Sequence, residues 1–316
     1  MAVLVGIDEA GYGPILGPLV VSSYGLEMPD ELIKADLWQV LSDAVGRQKR
    51  SLKGRLLVTD SKKAYDRKSG YGHLERTAVS LLGFQPRSAG ELVEKLTAGS
   101  LRKLGARPWY EKLGSTELRY SRDEIDVASG AFLRSATAKG IRPAIVRSEV
   151  LDAGNYNELV ELSHNKAAVL FMLVCRHVAA ALAQFPRANL QFIIDRQGGR
   201  DMYARPLGRM FPDMDITILK ENKNCSSYAL AGPAGSFKAH FIVKADLNYL
   251  CVSAASIVSK YIRELLMDAL SGYFAALDER ITPTAGYWQD GNRFLADVEK
   301  YLPKLNIDKN ILVRSR

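Results

Sequence analysis

The chain has 316 residues, of which 43 are Lys or Arg and 35 are Asp or Glu, leaving a formal charge of +8. Hydrophobic residues make up 47% and charged ones 25%, enough for a sizeable core, which excludes wholesale disorder. The length fits one large domain or two small ones, and the basic excess points to an anionic partner without specifying any chemistry.

The three cysteines, Cys175, Cys225 and Cys251, lie far apart with no CxxC or CxxH spacing, which disfavours zinc and fits reduced thiols. Met1–Gly6 has no basic lead-in or long apolar run, and no stretch approaches ~20 uncharged apolar residues. The expectation is a cytoplasmic, monomeric globular protein with no membrane association.

In chain order, Ala2–Ile7 reads as a buried strand that ends in Asp8-Glu9 and a glycine-rich turn, Ala10–Pro14. Pro18–Tyr24 predicts a neighbouring strand. Asp30–Val45 has helical spacing (Leu32, Leu37, Val40, Leu41, Val45) with Pro29-Asp30 as a start signal. Leu56–Thr59 is short and apolar and runs into Asp60–Lys63. From Gly83 to Gly140 the pattern weakens, with short helices at Ala89–Leu96 and Ile125–Ala138 around a basic, aromatic patch. Residues 83–140 are therefore read as an insertion or lid. Pro143–Val146 predicts a strand, and one long helix is expected from Asn155 to Phe185. Leu190–Ile194 predicts a buried strand ending in Asp195, and Asp215–Leu219 and Ala239–Val243 predict two more. Cys251–Leu270 is helical, with Ser253–Ser256 small enough to lie close to a sheet. Residues 271–316 form a C-terminal helical extension with a helix near Asn292–Tyr301. The whole predicts one α/β domain over 1–316 with a central mixed sheet flanked by helices.

Chemistry is expected at strand ends, because ligands of open α/β sheets bind in the crevice that those ends line. Asp8, Glu9, Asp195 and Asp246 all fall there. Converging carboxylates repel one another unless a cation holds them, and hard oxygen ligands suit Mg²⁺ or Mn²⁺. Such a site can hold two ions for phosphodiester hydrolysis. Adjacent strand residues face opposite ways, so Asp8 and Glu9 share a site only where the strand ends or bulges. By spacing alone, the commoner reading of these acids is as strand-end residues and helix caps.

Particular motifs add to this. Gly6-Ile-Asp-Glu-Ala-Gly-Tyr-Gly-Pro-Ile-Leu-Gly-Pro-Leu-Val20 resembles the opening motif of the prokaryotic type 2 ribonucleases H. The resemblance continues in family order through Thr59–Lys63, Asn157 and Asn165, Phe192–Asp195, Val243–Asp246, Val252–Lys260 and Gly286-Tyr287, over about two-thirds of the chain. It implies a ribonuclease H-like fold and Asp8, Glu9, Asp195 and Asp246 as catalytic, metal-binding carboxylates holding Mg²⁺ or Mn²⁺, two ions in all. It implies hydrolysis of the RNA strand of RNA–DNA hybrids, leaving 3′-hydroxyl and 5′-phosphate ends, and ribonucleotide-containing DNA as a second substrate. Substrate contacts are implied for Gly11, Tyr12, Gly13, Ser61, Lys62, Lys63 and Tyr287.

The chain departs from the pattern in three places. Tyr12 stands where the family has arginine in the loop that approaches the ribose 2′-hydroxyl, the group separating RNA from DNA. Asp195 is followed by Arg196-Gln-Gly-Gly-Arg200 rather than a single glycine. The 83–140 segment has no counterpart. The alternatives are a nuclease of the same fold for another structured nucleic acid, and a non-catalytic hybrid-binding protein.

Between Arg47 and Lys68 nine basic residues face two Asp: Arg47, Lys49, Arg50, Lys53, Arg55, Lys62, Lys63, Arg67 and Lys68 can track a phosphate backbone or form a solvated face. Arg102, Lys103, Arg107, Lys112, Arg119 and Arg122 surround Trp109, Tyr110 and Tyr120. These aromatics either stack bases or form the core of an isolated insertion. Lys260 is read as a helix end answering its dipole, and His164 as a surface residue.

Overall fold

The computed structural model describes residues 1–65, 71–97 and 104–315. The opening apolar run forms β1 (Ala2–Ala10), whose side chains alternate between two cores. Ala2 and Leu4 enter one, and Val3, Val5 and Ile7 enter the other. Both faces are covered, so the strand carries no polar side chain before Asp8. The other strands are β2 (Leu19–Met28), the short ladder partners β3 (Val45–Gly46) and β4 (Leu56–Leu57), β5 (Arg142–Leu151), β6 (Asn189–Asp195), β7 (Asp215–Glu221), β8 (Cys225–Gly232) and β9 (Gly235–Ile242). Among the described residues, seven of them form one mixed sheet in the order β5-β2-β1-β6-β9-β8-β7. The pairs β1–β6 and β6–β9 are parallel; the other neighbours are antiparallel.

Helices cover both faces, as the α/β pattern predicts. In chain order they are α1 (Leu37–Val40), α2 (Ser61–Ala64), α3 (His73–Ser80), α4 (Ala89–Leu96), α5 (Arg122–Thr137), α6 (Ala153–Ser163), α7 (Lys166–Gln184), α8 (Ala204–Met210), α9 (Leu250–Ala275) and α10 (Trp288–Val298). The face carrying Leu4 packs against α9, and the face carrying Val5 packs against α7. The small residues of α9 serve close approach: Ser253, Ala254 and Ala255 are fully buried. A Cβ at Gly6 of β1 would stand 2.1 Å from the Cys251 carbonyl carbon, so strand and helix meet backbone to backbone.

The structure corrects several expectations. Asp30–Val45 is not one helix. A 3₁₀ turn at Asp30–Leu32 is followed by α1, which restarts because the Asp36 side chain accepts from Trp38 N. The expected helix from Asn155 to Phe185 is two helices, because His164 takes a left-handed conformation (φ 50°) and Asn165 caps α7 through Ala167 N and Ala168 N. Lys260 lies within α9 rather than at its end and pairs with Glu264 one turn on. The strand β8 is an addition to the expected set; its Ser- and Ala-rich sequence carries little strand signal. By length and hydropathy (1.7) α7 could cross a membrane, contrary to the expectation that no stretch would qualify, but its apolar face lies against the sheet. Finally, Leu92, Trp109, Tyr110 and Phe132 of the 83–140 segment share a core with α9. Trp109 and Tyr110 are therefore packing residues, not stacking partners for bases.

Candidate active site

Pairing of β1 with β6 stops at Ile7–Ile194, while β1 continues beside β2 to Ala10. Asp8 and Glu9 thus project beyond their parallel neighbour, where the crevice opens. They keep the strand alternation. Asp8 lies on the α9 side: its backbone carbonyl accepts from Ser259 Oγ at 3.0 Å, and the Ser256 hydroxyl stabilises its carboxylate. Glu9 lies towards Tyr12 and Tyr203 on the opposite side. Asp195, the last residue of β6, reaches both electrostatically.

Asp246 is carried by a 3₁₀ turn, Ala245–Leu247, between β9 and α9. The chain enters that turn through Lys244 at φ 54°. Ala245 N donates to Asp195 Oδ1 at 2.7 Å, which ties the end of β6 to the turn bearing Asp246. Asp195 ends β6 as the pattern predicts, but Asp8 and Glu9 stand inside β1, which runs on to Ala10 in unbroken register with β2 and neither ends nor bulges there, so their side chains face opposite sides of the sheet.

Their ionisation reflects that placement. Burial pushes Asp8 well above the usual carboxylate range, and the charges of Glu9 and Asp195 add to it. Burial, then Asp195, raises Glu9 to about 7. Burial raises Asp195 to about 6, with Asp246 contributing. Asp246 is raised by burial and by Asp60. Among the described residues, no Lys or Arg reaches salt-bridge distance of these four carboxylates.

Asp60, which follows the short strand β4 and opens the Asp60–Lys63 motif, is an acid not counted among the four candidates. It caps α2 by accepting from Lys62 N at 2.9 Å and faces Asp246. The donor chemistry fits a hard divalent cation: all oxygen, negatively charged and short of countercharge. Among the described residues no three His, Cys, Asp or Glu side chains converge on one point.

The remaining candidates divide. Ser61 is buried and accepts from Ser256 Oγ at 3.2 Å, which links α2 to the Asp8 side of the site. Lys62 and Lys63 are exposed at the mouth, with Lys62 close enough to favour the Asp246 carboxylate. Gly11 has φ 88°, and a Cβ there would meet Pro18 O at 2.5 Å, so this turn of the loop requires glycine. Gly13 is exposed, with open space where a Cβ would stand. Tyr12 is half-buried, with Lys166 Nζ 5.6 Å from its ring centroid. Tyr287 is 53% exposed, and the adjoining Gly286 carbonyl accepts from Ile15 N at 2.8 Å, which brings this pair beside the glycine loop.

Asn157 and Asn165 serve structure: the first holds the C-terminal tail and the second caps α7. In the basic run, Arg47 donates to Leu247 O and Arg55 to Ser42 O and Leu52 O, so these two are committed to the fold. Lys49, Arg50 and Lys53 remain exposed. Arg107 pairs with buried Asp152 at 3.0 Å and Arg119 with Asp268 at 2.8 Å. Arg67, Lys68, Arg102 and Lys103 lie outside the described residues. The Arg196–Arg200 segment closes on itself, with Arg196 Nε donating to Arg200 O at 2.7 Å.

The mixed seven-stranded sheet flanked by helices is the arrangement of the ribonuclease H-like fold of solved structures. No protein-family model matches the chain, and no curated protein does. Solved structures do. Bst ribonuclease HIII in complex with Mn²⁺ is 15% identical, with 99% of this chain and 66% of that one covered at a TM-score of 0.50. A mutant of the same Bst ribonuclease HIII gives 15% identity, the same coverage and a TM-score of 0.51. Archaeoglobus fulgidus ribonuclease HII, in its complex with PCNA, is 18% identical over 99% of this chain and 94% of that one, at a TM-score of 0.47. The chain spans about 66% of the length of the ribonuclease HIII structures. The fold is that of the type 2 ribonucleases H.

Proposed function

We propose that the protein is a divalent-metal-dependent endoribonuclease that hydrolyses the RNA strand of RNA–DNA hybrids. The observation that carries this is the set Asp8, Glu9, Asp195 and Asp246, each raised by burial and by a neighbouring acid, with no ion pair to a basic side chain among the described residues. Buried carboxylates held without countercharge are costly, and a site that keeps four of them is built for a cation. Asp8, Glu9, Asp195 and Asp246 would hold Mg²⁺ or Mn²⁺, which supplies activation of a water and charge stabilisation of the departing oxygen.

The chain's own groups do the rest. Lys62 and Lys63 bind the phosphate backbone at the mouth, and Ser61, packed on Ser256, fixes their short helix against α9. The loop Gly11–Gly13 offers a backbone that a ribose can approach, and Tyr287 stands exposed next to it. Tyr12 favours a second substrate reading: without an arginine fork in the loop, recognition of a lone 2′-hydroxyl weakens, and another structured nucleic acid becomes the competitor.

A panel of labelled duplexes with Mg²⁺ or Mn²⁺ tests both: RNA–DNA, DNA with one ribonucleotide, double-stranded DNA and double-stranded RNA. Cleavage of the hybrid is expected, and Asp195→Asn or Asp246→Asn should lower it by orders of magnitude while the melting temperature is kept. Full activity in both variants would show that these acids do not form the site. Hybrid binding without cleavage by the unaltered protein would leave a binding protein.

A further inference from the structure

The end of the chain returns to the glycine loop. Val313 bridges to Leu16, and Arg314 N donates to Ile15 O at 2.8 Å. Asn157 of α6 clamps the same tail: its Nδ2 donates to the carbonyls of Asn310 and Val313, both at 2.8 Å, and its Oδ1 accepts from Ser315 N at 2.7 Å. The result is a fixed place for Arg314, whose side chain is 4% exposed. Its Nη2 donates to Pro14 O, and its guanidinium stands 5.0 Å from the Tyr156 ring centroid.

Nε and Nη1 of Arg314 have no acceptor among the described residues. No carboxylate among them pairs with it, and the charge that acts on it most is another cation, the buried Arg263. Burial and Arg263 together bring the guanidinium down to about 10. An arginine buried with idle donors and a like charge nearby is unfavourable unless an anion completes it.

The space for one is present. Arg314 lines a cavity of about 310 Å³ together with Tyr12, Gly13, Tyr156, Lys166 and Trp288, and no acidic residue among those described lines it. Lys166 Nζ approaches from the open side, 5.6 Å from the Tyr12 ring. Tyr12, which lines the cavity, lies in the loop that follows Glu9 at the end of β1.

We propose that this cavity is a phosphate site in which Arg314 and Lys166 grip one backbone phosphate of the substrate strand beside the carboxylates. Guanidinium donors match phosphate oxygens as a fork, and the lysine adds a point charge. The tail thereby returns to the glycine loop, from a distant part of the sequence, the cation that Tyr12 does not provide. That the phosphate belongs to a nucleic acid rests on the nuclease proposal; that the cavity takes a phosphate does not.

Two measurements in EDTA separate these. In the first, inorganic phosphate is titrated against melting temperature, with sodium chloride at equal ionic strength as the control. The unaltered protein should gain stability from phosphate beyond the control, and Arg314→Gln and Lys166→Gln should each lose that gain. In the second, binding of a fluorescent RNA–DNA duplex is followed across salt concentrations. Each variant should flatten the log–log slope by roughly 0.9, the counterion release expected for one phosphate on B-form DNA. Arg314→Lys should recover part of it. A phosphate gain that persists in Lys166→Gln, or an unchanged slope, overturns the site. Lys166 is exposed, so its variant reports even if Arg314→Gln fails to fold. A phosphate gain that both variants lose, in a protein that binds no duplex, keeps the anion site and removes the nuclease reading.

Discussion

At the residue scale, Tyr12 is the most informative position. Its ring packs on the α7 side of the sheet and receives Lys166, while the loop's carbonyls accept from arginines outside it, Pro14 O from Arg314 and Leu16 O from Arg263. Gly11, whose φ of 88° the loop requires, keeps the backbone available to a ribose. The expected outcome is retained cleavage of continuous hybrids, where many positions offer a productive register, and weak cleavage at a single embedded ribonucleotide. Tyr12→Arg should raise the single-ribonucleotide rate more than the hybrid rate. Measuring both rates for both proteins checks this, and an equal change on the two substrates would sink it. Asp195 is legible as a strand-end carboxylate, whereas the nearness of Asp60 to Asp246 is not, because nothing in the local sequence brings Asp60 towards the turn after β9.

At the scale of elements, two contacts carry the site. The first joins β1 to α9 through Gly6. Any side chain there collides with backbone rather than with a movable side chain, so Gly6→Ala should destabilise by roughly 3 kcal/mol or more, read by chemical denaturation. The second joins α7 to β2. His177 is buried, its Nδ1 lies 2.8 Å from Ser23 Oγ, and its Nε2 lies 3.1 Å from Val21 O. Burial lowers its pKa from 6.5 to about 4.

Between those values the unfolded chain binds a proton that the folded chain does not. The histidine's contribution is therefore complete above about 6.5 and is lost as the pH falls towards about 4, by up to about 1.4 kcal/mol per pH unit. His177→Gln should flatten this part of the pH–stability curve. A curve for the variant parallel to the unaltered protein's would place the titration elsewhere. Element types are mostly readable from period and composition, but the break between α6 and α7 is not. Leu159, Leu162 and Leu170 keep helical spacing across it, and only the left-handed His164 and the cap at Asn165 interrupt the backbone.

At the scale of the whole molecule, the positive excess meets a crevice lined with acids. Lys49, Arg50, Lys53, Lys62 and Lys63 are exposed on the chain segment that leads to the site. Arg47, Arg55, Arg107 and Arg119 are already engaged with carbonyls or carboxylates. Nucleic-acid binding should therefore weaken steeply with salt, and Lys62→Glu with Lys63→Glu should flatten the log–log slope by roughly 0.9 for each phosphate no longer neutralised. An unchanged slope in the double variant would move the binding surface to another face.

Local pattern alone dictates the α/β class, the strand that ends in Asp195, and the small-residue helix that lies on the sheet. Those follow from period, from β-branched runs and from side-chain size, which act over a few residues. Long-range packing settles which basic residues stay exposed, that Trp109 and Tyr110 belong to the common core, and that Arg314 is buried against the glycine loop. Each of those depends on segments far apart in the chain meeting, as when Val313 bridges to Leu16, and no local pattern encodes them.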